Sequence, residues 1–400
     1  MRQKEKKRLH AAMLVAALSL ATVLSGCTGR DQTIERETAE LAPGQQEGAT
    51  GTMATAADGS GQAALLQAQD VADDFWQPST PAAEGMNETL LLQLESVVKA
   101  EHQRMYSLLV IRHGHVVVEQ YYHNRSAEDT AGVYSVSKSI LSALTGIAIH
   151  DGLFTNVYEP VAGLLPEAAG EALKQPLALK HLLTLTGGLG AVDADFSAFS
   201  RSPNWVQHVV EQPITDKPGA VFGYNTGLTH LLSAAITNVS GMSTAAYAEQ
   251  HLLAPLGITQ YAWDQDPQGI SVGGTGVSMR PRDMARFGYL YLKQGQWQGQ
   301  QLVPKDWVEE SIKDQVKPDR AGGYGYLFWL GTVKTADGAK HSSFAAEGYG
   351  DQLILVVPDL DLVVVVTSDP DSSEEWKARE LIDRYIIPAI EVDTVKEATP

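Results

Sequence analysis

The amino-acid sequence predicts a mixed α/β (α+β) fold: an antiparallel sheet flanked by helices, formed from two chain segments, with an inserted all-helical domain. Two observations carry this. β-rich runs stand near both ends of the folded part, Leu108–Arg112 with His115–Glu119 and Gln352–Val357 with Leu362–Thr367, while Leu153 to Trp263 carries helical or loop-like signals. The late runs are apolar on both faces, so both sides of the sheet must be covered. The expected organisation is a leader over 1–26, a tether over 27–74, a sheet domain from 75–150 with 270–392, and a helical domain over 151–269.

Each segment has its own reason. Arg2, Lys4, Lys6, Lys7 and Arg8 precede an apolar run from Ala11 to Leu24, too short to span a bilayer comfortably but suited to an export-signal core. The run ends in Leu24-Ser25-Gly26-Cys27, which resembles the bacterial lipobox, where the cysteine is lipidated and becomes the new N-terminus. Cys27 is the only cysteine, so no intrachain disulfide can form. The expectation is an exported protein held at the bacterial cell-envelope membrane through lipidated Cys27. From Thr28 to Asp74 there is no Phe, Trp or Tyr, and such a segment buries too little apolar surface to offset its ordering entropy.

The folded part begins at Phe75-Trp76. Leu90, Leu91, Leu94, Val97 and Val98 make one stripe of an amphipathic helix over Glu88–Lys99. His113-Gly114 joins the early runs as a hairpin, and a helix from Ser135 with a single charge follows. Asn204–Val210, Thr229–Val239 and Ser243–Leu253 read as helices cut by Gly and Pro. Pro358-Asp359-Leu360-Asp361 turns between the late strands. A closing helix starts at Ser373-Glu374-Glu375 and points Trp376, Leu381, Ile382 and Tyr385 inward.

Composition narrows the function. With 30 Lys plus Arg against 48 Asp plus Glu, a net charge of −18 and no basic run beyond the first eight residues, the chain should repel nucleic acid. His113, His115 and His123 surround a hairpin and no His-Glu-x-x-His helix exists, so no metal is expected. Gly273-Gly274-Thr275-Gly276 lacks the lysine and helix pattern of a phosphate loop, and no cofactor is expected. Trp205, Tyr324, Tyr326 and Trp329 are assigned to core packing rather than to a cleft.

The chemistry concentrates at Ser135-Val136-Ser137-Lys138. Residues three apart share a helix face, so the Ser135 hydroxyl and the Lys138 ammonium become neighbours. A serine at its free pKa is a weak nucleophile and needs such a base. Ser96-Val97-Val98-Lys99 matches the same pattern, but Ser96 and Lys99 lie opposite the apolar stripe beside Gln93 and Glu95, on a solvated face. From Ser135 to Ile149, by contrast, Lys138 is the sole charge. Burial disfavours its charged form and moves it towards acting as a base.

Further pieces of the chain match a family. Together with Ser135-Val136-Ser137-Lys138, the stretches Leu182-Leu183-Thr184-Leu185-Thr186-Gly187-Gly188-Leu189, Pro218-Gly219 leading to Tyr224, Pro255-Leu256-Gly257, Arg280 to Gly288 and Gly350-Asp351-Gln352 occur in the order found in serine hydrolases related to class C β-lactamases and penicillin-binding proteins. The chain from about Trp76 to Ile390 resembles that family. The resemblance implies a β-lactamase/transpeptidase-like fold, an acyl-accepting Ser135, and Lys138 as its base. It implies that Tyr224 shuttles a proton; on the residues alone Tyr224 reads as a packed aromatic after Phe222. It also implies an oxyanion hole from the N–H groups of Ser135 and Tyr349, the latter on the late strand, and substrate-binding positions at Thr226, Ala346 and Gly348.

Two departures bear on the substrate. The second motif is Tyr224-Asn225-Thr226, with Thr226 where the family usually has Asn or Ser. The third is Ala346-Glu347-Gly348, lacking the cation that holds a penicillin's carboxylate and placing the negative potential of Glu347 beside the gap. The pattern looks more like the esterase and aminohexanoate-dimer amidase branch, acting on a small-molecule ester or amide. A β-lactamase or D-Ala-D-Ala carboxypeptidase, and a non-catalytic envelope-binding protein, are the alternatives.

Overall fold

The computed structural model describes residues 75–391 apart from 169–172, 174–175, 319–321 and 371–376. The leader, the tether, Cys27 and the expected cap and tryptophan at 373–376 lie outside the described residues. The chain enters through β1 (Gln77–Pro78) and then α1 (Glu88–Leu91) and α2 (Leu94–Glu101). The single helix expected over 88–99 is thus two. Asn87 caps α1 by accepting the Leu90 N–H, and Gln93 N–H bonds the Leu90 carbonyl at 3.2 Å, a tightened turn that leaves Leu92 exposed. Leu91, Leu94 and Val98 remain buried on one face.

β2 (Met105–Arg112) and β3 (His115–Tyr121) form the expected hairpin. His113 and Gly114 both have positive φ, 51° and 84°, which the tight turn of a right-twisted hairpin requires. After β4 (Ala131–Gly132) comes α3 (Val136–His150), buried along nearly all its length. The middle of the chain holds α4 (Leu179–Leu183), α5 (Phe196–Ser200), α6 (Trp205–Val210), α7 (Thr226–Ser240) and α8 (Thr244–Ala248). α7 begins earlier than the apolar pattern predicts, because Asn225 supplies the cap on the Gly227 N–H; Gly241 ends it at φ 70°. β5 (Tyr261–Trp263) and β6 (Val277–Met279) join β4 in a small sheet ordered β4-β6-β5.

Next come α9 (Pro281–Leu292), the pair β7 (Gln296–Trp297) and β8 (Gln300–Gln301), and α10 (Lys305–Ser311). Five strands then follow: β9 (Gly323–Tyr324), β10 (Trp329–Lys334), β11 (Lys340–Gly348), β12 (Gln352–Val357) and β13 (Leu362–Ser368). The described chain closes with α11 (Lys377–Leu381), which widens into a π-turn over Ile382–Ile386. β10 and β11 escape the apolar pattern because their outer ends are solvated and only the inner part of β11 is buried.

Among the described residues the main sheet has eight strands in the order β1-β3-β2-β13-β12-β11-β10-β9. β13 pairs antiparallel with β2, placing Val364 opposite Val110, so the early hairpin and the late strands make one sheet, as predicted. β1 departs from the antiparallel rule by joining β3 in parallel. Alternate residues of the central strands feed two cores. Leu109, Ile111, Ile354, Val363 and Val365 pack under α3 and α9, whereas Leu108, Val110, Leu355, Val364 and Val366 pack against α2 and the C-terminal helix.

α3 approaches α10 so closely that Gly146 has no room for a methyl: a Cβ there would stand 2.3 Å from the Trp307 indole. Ala is favoured over Gly in helices by about 1 kcal/mol, but overpacking costs about 1–3 kcal/mol. Gly146→Ala should therefore lower the thermal midpoint despite its better helix propensity. Gly163→Ala, with nothing within 4 Å of its Cβ, should leave that midpoint unchanged in the same melt.

Candidate active site

Ser135 sits at the junction where the small sheet hands the chain to α3. Val133 N–H bonds the Val277 carbonyl at 2.9 Å, fixing the approach. Tyr134 then takes φ 47°, a left-handed conformation that non-glycine residues seldom adopt, and Ser135 becomes the first residue of the turn that opens the helix. The neighbouring hydroxyls are engaged in holding this corner. Ser137 Oγ donates to the Tyr134 carbonyl at 2.6 Å and accepts the Val277 N–H, and Ser139 Oγ donates to the Leu327 carbonyl at 2.7 Å.

One turn on, Lys138 is 2% exposed, and its Nζ lies 3.1 Å from Ser135 Oγ, 3.2 Å from Thr226 Oγ1 and 2.9 Å from the Gly274 carbonyl oxygen. Burial lowers its pKa to about 8, partly opposed by the negative charge of Asp193. At Ser96 and Lys99 the expected solvated face is found: Lys99 pairs with Glu95 and Ser96 bonds the Gln93 carbonyl.

The start of α7 supplies the opposite wall. Tyr224 is half-buried, its ring centroid 4.9 Å from Lys138 Nζ and stacked on Trp329 at 9° between planes. Thr226 presents its hydroxyl to Lys138 while its N–H and Oγ–H both donate to Asp193, at 2.7 and 2.6 Å. Trp205, Tyr324 and Tyr326 are core residues, as expected, whereas Trp329 is half-buried beside Tyr224 and belongs to the site.

The third wall is the end of β11. Gly348 lies against the corner before α3: a Cβ there would meet the Val133 oxygen at 2.2 Å and the Ser135 nitrogen at 3.2 Å. Tyr349 is not on a strand. It occupies the turn after β11, where Gly350 and Asp351 take φ 70° and 60° to reverse the chain into β12. Its ring meets that of Tyr134, the residue before Ser135, edge-on at 5.9 Å. Ala346 faces the same side as Gly348 but is buried in the α3 core.

Glu347 corrects an expectation. Strand alternation turns it to the other face of the sheet, where it pairs with Arg379 at 2.9 Å. Its charge therefore does not stand beside Ala346. Asp351, also behind the turn, has its pKa raised to about 6 by burial and accepts the Ala378 N–H.

Three contributors escaped the sequence. Asp193 stands in an acidic stretch with no distinguishing pattern and reaches Thr226 across 33 positions. Gly274 acts through its carbonyl, and Gly273 and Gly274 are glycines because each faces α7 at distances a Cβ would close to 2.1 and 2.4 Å. Trp329 was signalled only as one aromatic among several. At the hairpin, His113 and His115 both pair with one carboxylate, Glu84, and among the described residues no group of three such side chains is placed to hold a metal ion.

Residues 94–384 match the family model described as Beta-lactamase. The chain is 25% identical over 328 residues to the 6-aminohexanoate-dimer hydrolase of Paenarthrobacter ureafaciens, covering 74% of this chain and 81% of that protein. Among solved structures, a Bacillus anthracis protein described as a candidate 6-aminohexanoate-dimer hydrolase aligns with TM-score 0.64 and 20% identity, over 73% of this chain and 80% of that one. EstCE1, a hydrolase with promiscuous acyltransferase activity, aligns with TM-score 0.60 and 15% identity, over 76% and 99%.

The glycine loop supplies a direct test of the packing. Gly274→Ala should destabilise the fold by about 1–3 kcal/mol in urea unfolding, because its Cβ would meet Thr226 Cγ2 at 2.4 Å and Lys138 Nζ at 3.0 Å. Gly223→Ala, next to Tyr224 but with open space around it, should leave the unfolding midpoint in place.

Proposed function

The chain belongs to the Beta-lactamase family, and on that premise we propose that it is a serine hydrolase cleaving esters or amides of small molecules through an acyl-enzyme on Ser135. The observation that carries the reading is Lys138 Nζ, buried and 3.1 Å from Ser135 Oγ, with its pKa depressed to about 8. At pH 7 about a tenth of the molecules then hold it as the neutral amine, able to take the hydroxyl proton as Oγ attacks the acyl carbon. The oxyanion formed is assigned to the N–H groups of Ser135 and Tyr349, donors aimed at developing charge. Tyr224, whose ring centroid lies 4.9 Å from Lys138 Nζ, is assigned to pass the proton to the leaving alcohol or amine. Water then releases the acyl group with the same groups in reversed roles.

Substrate class follows from the third motif and the relatives. Ala346 offers no cation for an anionic substrate, and the relatives named above include a 6-aminohexanoate-dimer hydrolase and a hydrolase with promiscuous acyltransferase activity. This favours neutral or amine-bearing esters and amides over penicillins. The Leu24-Ser25-Gly26-Cys27 junction supports export and a lipid anchor at Cys27 in the bacterial cell envelope.

Three measurements test these assignments. After fluorophosphonate treatment, peptide mapping should find the label on Ser135 and not on Ser96, Ser137 or Ser139, and kcat/KM for a p-nitrophenyl ester should rise with pH to a plateau, half-maximal near 8. A label elsewhere, or a rate independent of pH between 6 and 9, would contradict the mechanism. For localisation, Cys27→Ser should leave the precursor unprocessed and abolish labelling by a fatty-acid analogue, whereas the wild-type chain incorporates it.

A further inference from the structure

We propose that Asp193 is a positioning residue of this site: by committing the Thr226 hydroxyl proton to itself, it leaves the Lys138 amine only one group to which its lone pair can turn, the Ser135 hydroxyl. The inference rests on the reading of Lys138 as the base, and extends it to a residue outside the three motifs.

The argument is a count of donors and acceptors. A neutral lysine amine has two N–H donors and one lone pair, and among the described residues the Lys138 Nζ has three hydrogen-bond partners. The Gly274 carbonyl can only accept, so it takes one N–H. A threonine hydroxyl could either donate or accept. Here Thr226 Oγ1 lies 2.6 Å from one Asp193 oxygen while the Thr226 N–H lies 2.7 Å from the other. An ionised carboxylate is acceptor-only, so the Thr226 proton must point to Asp193 and its oxygen must accept from Lys138. Both N–H groups are thereby used. The lone pair faces the remaining partner, which is the hydroxyl whose proton has to be removed.

Burial makes this arrangement binding. Asp193, Thr226 and Lys138 are 3%, 2% and 2% exposed, so water does not offer an alternative partner cheaply. Among the described residues, the titratable groups acting on Lys138 are Asp193, from the turn over Val192–Asp195, and Tyr224, from the loop before α7; the glycine loop contributes a carbonyl. The Asp193 charge also holds the lysine proton on more firmly than burial alone would. Its loss should therefore be visible in a pH profile. A purely structural role is the alternative, since the same carboxylate accepts an N–H at the start of α7.

The experiment is the pH dependence of p-nitrophenyl ester hydrolysis by the full chain, with thermal melts alongside. In Asp193→Asn the carboxamide can donate to Thr226 Oγ1, freeing the threonine proton to compete for the lysine lone pair. The plateau kcat should fall about tenfold or more, and the midpoint of the acid limb should move down by about one pH unit as the charge is removed. Combining Asp193→Asn with Thr226→Val should be no worse than Thr226→Val alone, because the link is already cut. An unmoved midpoint, with a lower melting temperature, would make Asp193 a helix cap and overturn the proposal. Should Asp193→Asn not fold, Thr226→Ser against Thr226→Val decides: Ser should retain most turnover and Val should not, and equal rates overturn the proposal. Controls with Ser135→Ala and Lys138→Ala separate the two readings. Turnover that survives in them overturns the site assignment itself, whereas turnover lost in them with an unmoved Asp193→Asn midpoint overturns only the inference drawn here.

Discussion

The structure is organised around one costly requirement, keeping a lysine amine dry. An ammonium in an apolar core is strongly disfavoured unless acceptors surround it, and the fold delivers those acceptors from three places. Ser135 comes from the same helix, Thr226 from the start of α7, and Gly274 from the loop before β6. None of these elements is a neighbour of another in sequence. The tight glycine contacts at 273 and 274 follow from the same requirement, because a backbone carbonyl can reach Nζ only if the loop lies directly on α7.

The sheet sets the remaining geometry. β11 ends where α3 begins, and Gly348 allows the two backbones to approach within a distance that any side chain would block. Behind that turn the structure is tied to the C-terminal helix by Glu347 with Arg379 and by Asp351 with the Ala378 N–H. Charges that look in sequence as though they crowd the cleft are thus spent on its reverse side.

Much of this was legible in the residues, and for identifiable reasons. The pairing of Ser135 with Lys138 could be read because both the spacing and the lack of charge lie on one helix. The two-segment sheet could be read because its central strands are apolar on both faces. Glu347 was misplaced because Lys340–Gly348, polar at its outer end, did not read as a strand; once it does, alternation sends Ala346 and Glu347 to opposite sides. Tyr349 was set on a strand because left-handed positions at Gly350 and Asp351 cannot be anticipated for an aspartate from residue type alone. Asp193 and the Gly274 carbonyl were invisible because tertiary contact, and not local pattern, gives them their partners.

The closure of the sheet by its last strand has a consequence for how the molecule comes into being. Ser107 and Thr367 hydrogen-bond across 260 positions, at the seam between β2 and β13. Pairings so distant in sequence carry a large loop-closure cost and form late. During synthesis the early hairpin must therefore wait, with one edge unpaired, until β13 has emerged. The corner at Ser135 cannot meet Gly348 before then. A nascent chain that has not yet made these strands thus holds Ser135 without the wall that Gly348 brings against it.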